Sequence, residues 1–427
     1  MKTNVHSFLE FLNASHSNFH AVYNLENMLQ GAGYTRLSRQ DVWELTAGGK
    51  YYVKNADSAL IAFRVPTVEP TRFFITASHA DRPTFKVKEN AALVGQYTRL
   101  STEKYGGMLM STWLDRPLSI AGRVMVETEN GVKAKLLDID QDLLLIPNVA
   151  IHMNRKANEG YAYNPAVDTL PLVSTGDTKE AFDGLLQETA GGKILGHDLY
   201  LYLRQPAKLW GLQEEFISGQ ALDDLACVWG CAQGFIQADE TDTIPVLAVL
   251  DSEEVGSATN QGADSTFLAD TLSRICGCLQ LEEKQVLSGS FLVSADNAHA
   301  VHPNHPELSD ANNAPLPGAG VVIKFNANGR YTTDGLSAAV FRKICQNAQV
   351  PVQTYCNRAD IAGGSTLGAI SLSHVSVPSV DIGLAQLAMH SCYETMAAKD
   401  IEDLVSAVCA FYGASIRDDG EGNLEIG

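Results

Sequence analysis

Strand-like and helical segments alternate through the second half of the chain, and this order limits the folds that are open to it more than any other feature. Apolar runs bounded by Gly, Asn and Asp indicate strands, and apolar residues at helical spacing indicate helices. These segments are helices at about 222–237, 265–275 and 400–412, and strands at about 245–250, 290–294, 321–325 and 375–382. The order predicts an α/β fold in which a mixed β-sheet is sandwiched by helices.

The first half of the chain has a different texture. Helical spacing over the first forty residues predicts two helices, followed by β-rich runs at 59–65 and 73–77. Between residues 92 and 209 many short strand-like pieces follow one another without a matching set of helices. We therefore expect an inserted β-rich domain at 92–209, which interrupts an α/β domain formed by residues 1–91 and 210–427.

The charge balance limits the partners of the chain. Its 427 residues contain 31 Lys and Arg against 50 Asp and Glu, a formal net charge of -19. Such a chain repels nucleic acids and anionic membrane surfaces, so neither is expected as a partner. No apolar run reaches the roughly 20 residues of a membrane span, and the N-terminal segment lacks the apolar core of a signal peptide. These features predict a cytoplasmic protein whose eight cysteines are free thiols.

Side chains that can bind metals follow four of the most apolar strands. Because ligands gather at the carboxyl ends of strands in open α/β sheets, we expect these side chains to converge. Asp223 and Asp224 add two carboxylates at the start of a helix, where aspartate is also a common N-cap. The four strand ends are ITAS before His79, VLAVL before Asp251-Ser252-Glu253-Glu254, FLVSA before Asp296, and VSVPSVDIG shortly before His390.

The composition of this set favours a hydrolytic metal site. Histidines and carboxylates without cysteine suit zinc first, with cobalt or manganese as alternatives. Two ions about 3.5–4 Å apart need one bridging carboxylate, and Asp223 is the predicted bridge. Glu253 and Glu254 are adjacent acids that would repel each other, so we expect them to have different roles. Glu254 is predicted to bind a metal, while Glu253 faces the water as general base and later acts as general acid.

Other chemistries have weaker signals. His299, His302 and His305 are spaced by three, but Pro303 and Pro306 exclude a helix, so they are weak ligand candidates. The segment GGSTL at 363–367 lacks the last glycine of a G-x-S-x-G nucleophile elbow. A cysteine nucleophile, Cys392 near His390, stays open.

Five motifs carry a family resemblance. The segments SHADRP, ALDDLA, LDSEEVGSATNQGA, SADNAHAVHPNH and QLAMHS occur in this order, and similar signatures extend almost from end to end. In this the chain resembles the aspartyl aminopeptidase family of two-metal peptidases. The resemblance implies a metal-dependent enzyme that removes the N-terminal residue of peptides.

The resemblance also divides the ligands between two divalent ions. It implies one ion held by His79, Asp223 and Asp296 and another held by Asp223, Glu254 and His390. Asp81 would orient the His79 imidazole, and Glu253 keeps the role of base. Two positions depart from the family: Asp224 replaces a more common Asn, which leaves open whether Asp223 or Asp224 bridges, and Arg82 replaces a common Ser.

Family members typically prefer an N-terminal Asp or Glu, which needs a cation in the pocket. The residues that match the substrate pocket by this resemblance are Lys324, Arg330, Tyr331, Gly363, Gly364 and Met389. The inserted domain would mediate dimerisation, and dimers would build a dodecamer in which His152 reaches the site of a neighbouring subunit. Alternatives are a broad-specificity aminopeptidase, a two-metal deacylase and a non-catalytic scaffold.

Overall fold

The computed structural model of the protein describes residues 2–418 and 423–427. Within these residues lie nine α-helices, most of them on the two faces of one large sheet. The helices are α1 (Lys2–Ala14), α2 (Asn18–Gly31), α3 (Lys179–Ala190), α4 (Leu222–Gln237), α5 (Phe267–Leu279), α6 (Glu283–Ser288), α7 (Gly335–Asn347), α8 (Leu367–Ser371) and α9 (Ala398–Gly413). No helix of the described chain is long and apolar enough to cross a membrane.

The strands of the described residues form four sheets. They are β1 (Thr35–Leu37), β2 (Lys50–Asn55), β3 (Ala59–Arg64), β4 (Arg72–His79), β5 (Thr84–Leu93), β6 (Tyr97–Tyr105), β7 (Leu118–Thr128), β8 (Gly131–Asp138), β9 (Leu172–Thr175), β10 (Ile194–Leu203), β11 (Lys208–Trp210), β12 (Phe216–Gly219), β13 (Thr243–Leu250), β14 (Phe291–Ala295), β15 (Ala298–His299), β16 (Val321–Phe325), β17 (Val352–Cys356), β18 (Ser379–Gly383), β19 (Ala385–Leu387), β20 (Glu394–Ala397), β21 (Ile416–Asp418) and β22 (Leu424–Ile426).

The largest sheet has nine strands in the order β1-β2-β3-β13-β4-β14-β18-β16-β17. Its four central strands, β13, β4, β14 and β18, run parallel, while β3 and β16 are antiparallel to their inner neighbours. The sheet is therefore mixed, as the sequence predicts. The predicted fold class, a mixed sheet between helices, is confirmed.

Two separate hydrophobic cores explain why the central strands are apolar throughout. In β4, Phe74 packs into a core on one face, whereas Phe73, Ile75 and Ala77 pack into a core on the other. Residues of α1, α2, α4, α7 and α9 belong to the first core and residues of α5 and α6 to the second. Because side chains alternate along a strand, a strand covered on both faces must be apolar at every position.

The second sheet has six strands, all antiparallel, in the order β8-β7-β10-β5-β6-β9. It has its own core, to which Phe182 and Leu186 of α3 contribute. Helix α3 lies within the segment 92–209, where the sequence predicts strands without a matching set of helices. A further sheet has five strands in the order β11-β12-β20-β19-β15. Two of them directly follow central strands in the chain, β15 after β14 and β19 after β18, and the turn between β19 and β20 contains His390.

Candidate metal centre

Three adjacent parallel strands bring the first candidate ligands together. β4 ends at His79, β14 ends one residue before Asp296, and β13 ends at Leu250, just before a short 3-10 turn at Glu253–Val255. Because β4 pairs in parallel with both β13 and β14, the three carboxyl ends lie at one edge of the sheet. The convergence that the sequence predicts at this edge is present.

The remaining ligand candidates reach this edge from a helix start and from a turn. Asp223 and Asp224 lie in the first turn of α4, joined by a cis peptide bond. His390 lies between β19 and β20 with a φ of 66°. Its Nε2 atom is 3.6 Å from Asp223 Oδ2 and 3.3 Å from Glu254 Oε1.

Two groups of possible ligands share Asp223. One contains His79, Asp223, Asp224 and Asp296, and the other contains Asp223, Glu254 and His390; within each group one ligand atom per residue lies within 4.8 Å of the others. On the first side, His79 Nε2 is 3.5 Å from Asp223 Oδ1. The two oxygens of Asp223 therefore face different histidines.

The donor atoms of this cluster fit a divalent cation. Asp223 Oδ1, Asp224 Oδ1 and Glu254 Oε1 are buried and have no hydrogen-bond partner among the described residues. Buried polar atoms are normally hydrogen-bonded, so three unsatisfied carboxylate oxygens in one place need another partner. Imidazole nitrogens and carboxylate oxygens are ligands that zinc accepts.

The pKa values point in the same direction. Burial raises the pKa of Glu253 to about 9 and that of Glu254 to about 7, and neighbouring carboxylates add to both shifts. Burial also raises the pKa of Asp296 to about 6, although Lys324 opposes the shift. Several acids that share one desolvated place disfavour each other's charge unless cations are present. A bound cation would remove this conflict.

Asp81 connects the two sides of the cluster. Its Oδ1 atom is 3.3 Å from His79 Nδ1 and accepts a hydrogen bond from the backbone N–H of Glu253 at 3.1 Å. Its Oδ2 atom accepts from the backbone N–H of Glu254 and from the Tyr105 hydroxyl, at 3.1 and 2.8 Å. The Asp81 carboxylate, together with the Asp81 carbonyl oxygen at 3.2 Å from His79 Nδ1, thus orients the imidazole, and the carboxylate also holds the turn that carries both glutamates.

Glu394 fixes the backbone of two further candidate ligands. One carboxylate oxygen accepts from the N–H of Asp223 at 3.0 Å, and the other accepts from the N–H of His390 at 2.7 Å. The side chain is buried, and burial raises its pKa to about 8. Glu394 therefore ties the start of α4 to the β19–β20 turn.

A cavity of about 290 Å³ opens onto the cluster. Among the predicted substrate residues, Lys324, Tyr331, Gly364 and Met389 line it, together with the candidate ligands and Glu253. Lys324 is buried, and its Nζ donates to the carbonyl oxygen of Asp296 at 2.6 Å and lies 5.1 Å from the centre of the Tyr331 ring. The cavity thus contains a cation beside the candidate metal ligands.

Besides Asp81, which contacts the cluster from behind, three predicted residues lie outside the cavity lining. Arg330 is exposed at the end of the 326–330 turn, and His152 is exposed on a turn of the 147–156 segment. At Gly363 an added Cβ atom would clash with the Asn357 side chain, so the close backbone approach there is made to Asn357. Within one chain, the structure does not bring these three residues to the cluster.

Sequence reasoning missed several contacts of the site. Tyr105 and Glu394 were not singled out, because their partners lie 24 and 171 residues away in the chain. His299, a weak ligand candidate in the sequence, lines the cavity. The second sheet also reaches the site, because a Cβ atom added at Gly106 would lie 3.1 Å from Glu254 Cβ. The segment YGGM at 105–108 was the available signal.

Comparison with known proteins identifies the family. A family model described as aminopeptidase I zinc metalloprotease (M18) matches residues 11–412. A probable M18 family aminopeptidase 2 of Clostridium acetobutylicum is 42% identical over 408 residues, which cover 92% of this chain and 94% of the relative. A protein of the same description from Pseudomonas aeruginosa is 40% identical over 423 residues, covering 95% and 97%.

Solved structures agree in fold. A chain in a cryo-EM structure of the Ape4 and Nbr1 complex superposes with a TM-score of 0.93 at 34% identity, covering 96% of this chain and 86% of that chain. An M18 aminopeptidase from Thermotoga maritima has a TM-score of 0.85 at 22% identity, covering 96% and 97%, and supports the fold alone. The resemblance noted in the sequence is thereby confirmed. The chain belongs to the M18 family of zinc metallo-aminopeptidases, which are peptide hydrolases.

Proposed function

We propose that the protein is a two-metal aminopeptidase that removes acidic N-terminal residues from peptides. One observation carries the proposal: the two ligand groups share Asp223, whose two oxygens face His79 on one side and His390 on the other. A carboxylate in this position is the bridge that a pair of ions needs. His79 and Asp296 complete one ion's ligands, and Glu254 and His390 complete the other's.

The bridge is assigned to Asp223 rather than to Asp224. Asp223 lines the cavity, whereas Asp224 does not. Asp224 Oδ2 accepts a hydrogen bond from the backbone N–H of His79 at 3.3 Å, and its side chain is fully buried. Asp224 therefore supports the strand end that carries His79, while Asp223 faces the substrate side.

Glu253 is the proposed general base. It lines the cavity beside both ligand groups, and its backbone is held by Asp81. When bound, the metal ions polarise the peptide carbonyl and make the attacking water more acidic. Glu253 accepts the proton of that water and then donates it to the leaving amine, which requires that its carboxylate be ionised at the start. Cations next to Glu253 lower its raised pKa and so favour this state.

The preference for acidic residues rests on Lys324. Among the described residues, Lys324 is the one lysine or arginine that lines the cavity, and its Nζ lies 3.7 Å from Asp296 Oδ2. Its burial strengthens the attraction between its ammonium group and a substrate carboxylate that enters. Tyr331, Met389 and Gly364 shape the walls around it. Arg330 would act from the rim.

The proposed assembly is a homo-oligomer, with a dodecamer built from dimers as its largest form. A dodecamer is described for mApe1 of a yeast, whose structure has a TM-score of 0.85 at 23% identity. Residues 92–209 are the proposed dimerisation domain. Around His152, the side chains of Val149, Ile151 and Met153 are exposed, and an apolar exposed patch of this kind favours a protein contact. His152 is proposed to act at the neighbouring subunit's site, where it stabilises the oxyanion.

The cytoplasm is the proposed compartment, since all eight cysteines are free.

Activity on a substrate series tests the reaction. Purified protein is assayed with aspartyl-, glutamyl- and leucyl-anilides and with an N-acetylated aspartyl-anilide, with and without a chelator and added zinc, cobalt or manganese. We expect chelator-sensitive cleavage of the free-amine acidic substrates. Cleavage of the blocked substrate would indicate a deacylase, and equal rates with leucyl and aspartyl substrates would indicate broad specificity. If the Glu253→Gln variant assembles and binds metal and the wild type shows no more turnover than this variant, the protein would be a non-catalytic scaffold.

Co-expression of two inactive variants tests the role of His152. His152→Ala and Glu253→Gln are each expected to lower activity strongly as pure oligomers. In mixed oligomers, a His152→Ala chain keeps its own Glu253 and receives His152 from a Glu253→Gln neighbour. Activity should therefore reappear in the mixture, and a mixture no more active than its components would contradict the proposal.

A further inference from the structure

Arg82 faces a second cavity that is separate from the metal centre. This Arg82 cavity has a volume of about 410 Å³ and shares no lining residue with the cavity at the metal cluster. Its walls are the chain around residues 12–16, the end of β10 with the loop at 202–207, Asp140 and Gln220. Its volume is within the range of small-molecule sites.

The guanidinium of Arg82 is buried and has few protein partners. Arg82 is 5% exposed, and its Nη1 donates to the carbonyl oxygen of Ser15 at 2.7 Å. Among the described residues no carboxylate oxygen lies within 4.0 Å of the guanidinium, the distance that defines an ion pair. A guanidinium has five N–H donors, so most of them have no protein acceptor here. Arginine is seldom buried without such a partner.

The remaining donors of Arg82 are not fully enclosed by protein atoms. No nitrogen of Arg82 is among the fully enclosed side-chain atoms of the described chain that lack a partner. Arg82 also lines a smaller cavity of about 10 Å³, which leaves no room for more than a water. The larger cavity is therefore where a partner for Arg82 fits.

The other charged groups of the cavity wall are already paired. His16 Nδ1 is 2.6 Å from Asp138 Oδ2, and the ring stacks on Tyr202. Arg204 is paired with Asp140 and, at 3.2 Å, with Asp142, on the more exposed side. Arg82 is left as the buried cation without an acidic partner at contact distance, and the nearby carboxylates of Asp81 and Glu394 favour its charge only from farther away.

We propose that the Arg82 cavity binds a small organic molecule through its carboxylate or phosphate group, which pairs with the Arg82 guanidinium. The planar fork of arginine matches the two oxygens of either group. The cavity volume corresponds to a ligand of about the size of an amino acid derivative or a short peptide end. The metal centre takes no part in this binding.

Titration calorimetry on the metal-loaded protein tests the proposal. The probes are N-acetyl-L-alanine, which has a carboxylate but no free amine, and inorganic phosphate; N-acetyl-L-alaninamide is the uncharged control. We expect saturable binding of at least one anion and none of the amide. Arg82→Gln should weaken binding about tenfold or more, since it removes charge-assisted hydrogen bonds. Lys104→Met, which removes an exposed cation that lines neither cavity, should leave it unchanged.

The anion that binds more tightly shows whether the cavity prefers a carboxylate or a phosphate group. Equal affinity in Arg82→Gln and wild type, or no saturable binding of either anion at roughly 10 mM, would overturn the proposal. If Arg82→Gln does not fold, Arg204→Gln replaces it. That change leaves Asp140 and Asp142 unpaired beside the cavity, so anion binding should weaken at least threefold by repulsion; unchanged affinity would then overturn the proposal.

Discussion

Asp81 accepts a hydrogen bond from the backbone N–H of Glu253 at 3.1 Å, and the same oxygen lies 3.3 Å from His79 Nδ1. The proposed base and a proposed metal ligand therefore depend on one buried carboxylate. A loss of this group should disturb both the orientation of the imidazole and the position of the water-facing glutamate.

Asp81→Asn should lower zinc affinity and kcat/KM together, each by about 10- to 100-fold, which is typical for partners of metal ligands. Metal-buffered titration and steady-state kinetics measure the two quantities. Asp400→Asn is the matched control, because Asp400 is also buried and accepts N–H bonds from Gly318 and Gly320. The control should lose stability but keep zinc affinity; a loss of zinc affinity in both variants would show a general effect of burial.

The metal content of single variants should reveal which aspartate bridges. Asp223→Asn is expected to lose both ions, and His390→Ala is expected to lose one, since a shared ligand serves two ions. Metal content per subunit, measured by plasma mass spectrometry after dialysis, separates these outcomes. Asp224→Asn should retain more metal than Asp223→Asn. The reverse order would assign the bridge to Asp224.

Lys324→Met should change selectivity more than catalysis. The variant removes the buried cation of the cavity, so kcat/KM for aspartyl substrates should fall about 10- to 100-fold relative to leucyl substrates. Because Lys324 also donates to the carbonyl oxygen of Asp296, metal content has to be measured beside the rates. An unchanged ratio between the two substrates, at full metal content, would contradict the role of Lys324 in specificity.

The stability of the fold should decrease in mild acid because of His20. Burial lowers the pKa of His20 from 6.5 to about 4, and its Nδ1 is 2.8 Å from Ser17 Oγ. Between these pKa values the unfolded chain binds a proton that the folded chain does not, so stability falls as the pH decreases from 6.5 towards 4. At pH 5 this loss is about 2 kcal/mol.

The unfolding temperature of wild type and His20→Gln at pH 7 and pH 5 measures this contribution. The unfolding temperature of the wild type should fall more between pH 7 and pH 5 than that of His20→Gln, because glutamine does not titrate. Asp138, His16 and Arg82 lie close enough to influence His20, and they are the same in both proteins. Parallel pH profiles would show that His20 does not contribute.

The positions of the metal cluster were predictable because strand ends have a signature. An apolar run that stops at His79 or Asp296 shows both the buried strand and the polar group at its end. The mixed sheet followed from the same alternation of segments. The division of the chain at residues 92 and 209 stays a prediction, as do the roles of the individual site residues.

The supporting contacts were not predictable from local pattern. Glu394 reads as an ordinary acid at the start of a short strand, and only the fold places it against the N–H groups of Asp223 and His390. Tyr105 likewise reaches Asp81 from a different sheet. Side chains that act through distant backbone groups have no spacing rule, so a single sequence does not reveal them. Conversely, Arg330 and His152 have the right residue type, but within one chain the fold exposes both.

The proposed ligands are spread along the chain from His79 to His390, and the sheet edge that unites them needs β4, β13 and β14 together with the β19–β20 turn. During synthesis, a chain that has not yet reached residue 390 would lack one of the proposed ligands of the second ion. Under the two-metal proposal, a ribosome-bound or truncated product would therefore have an incomplete metal site, and peptidase activity would begin only after most of the polypeptide has been made.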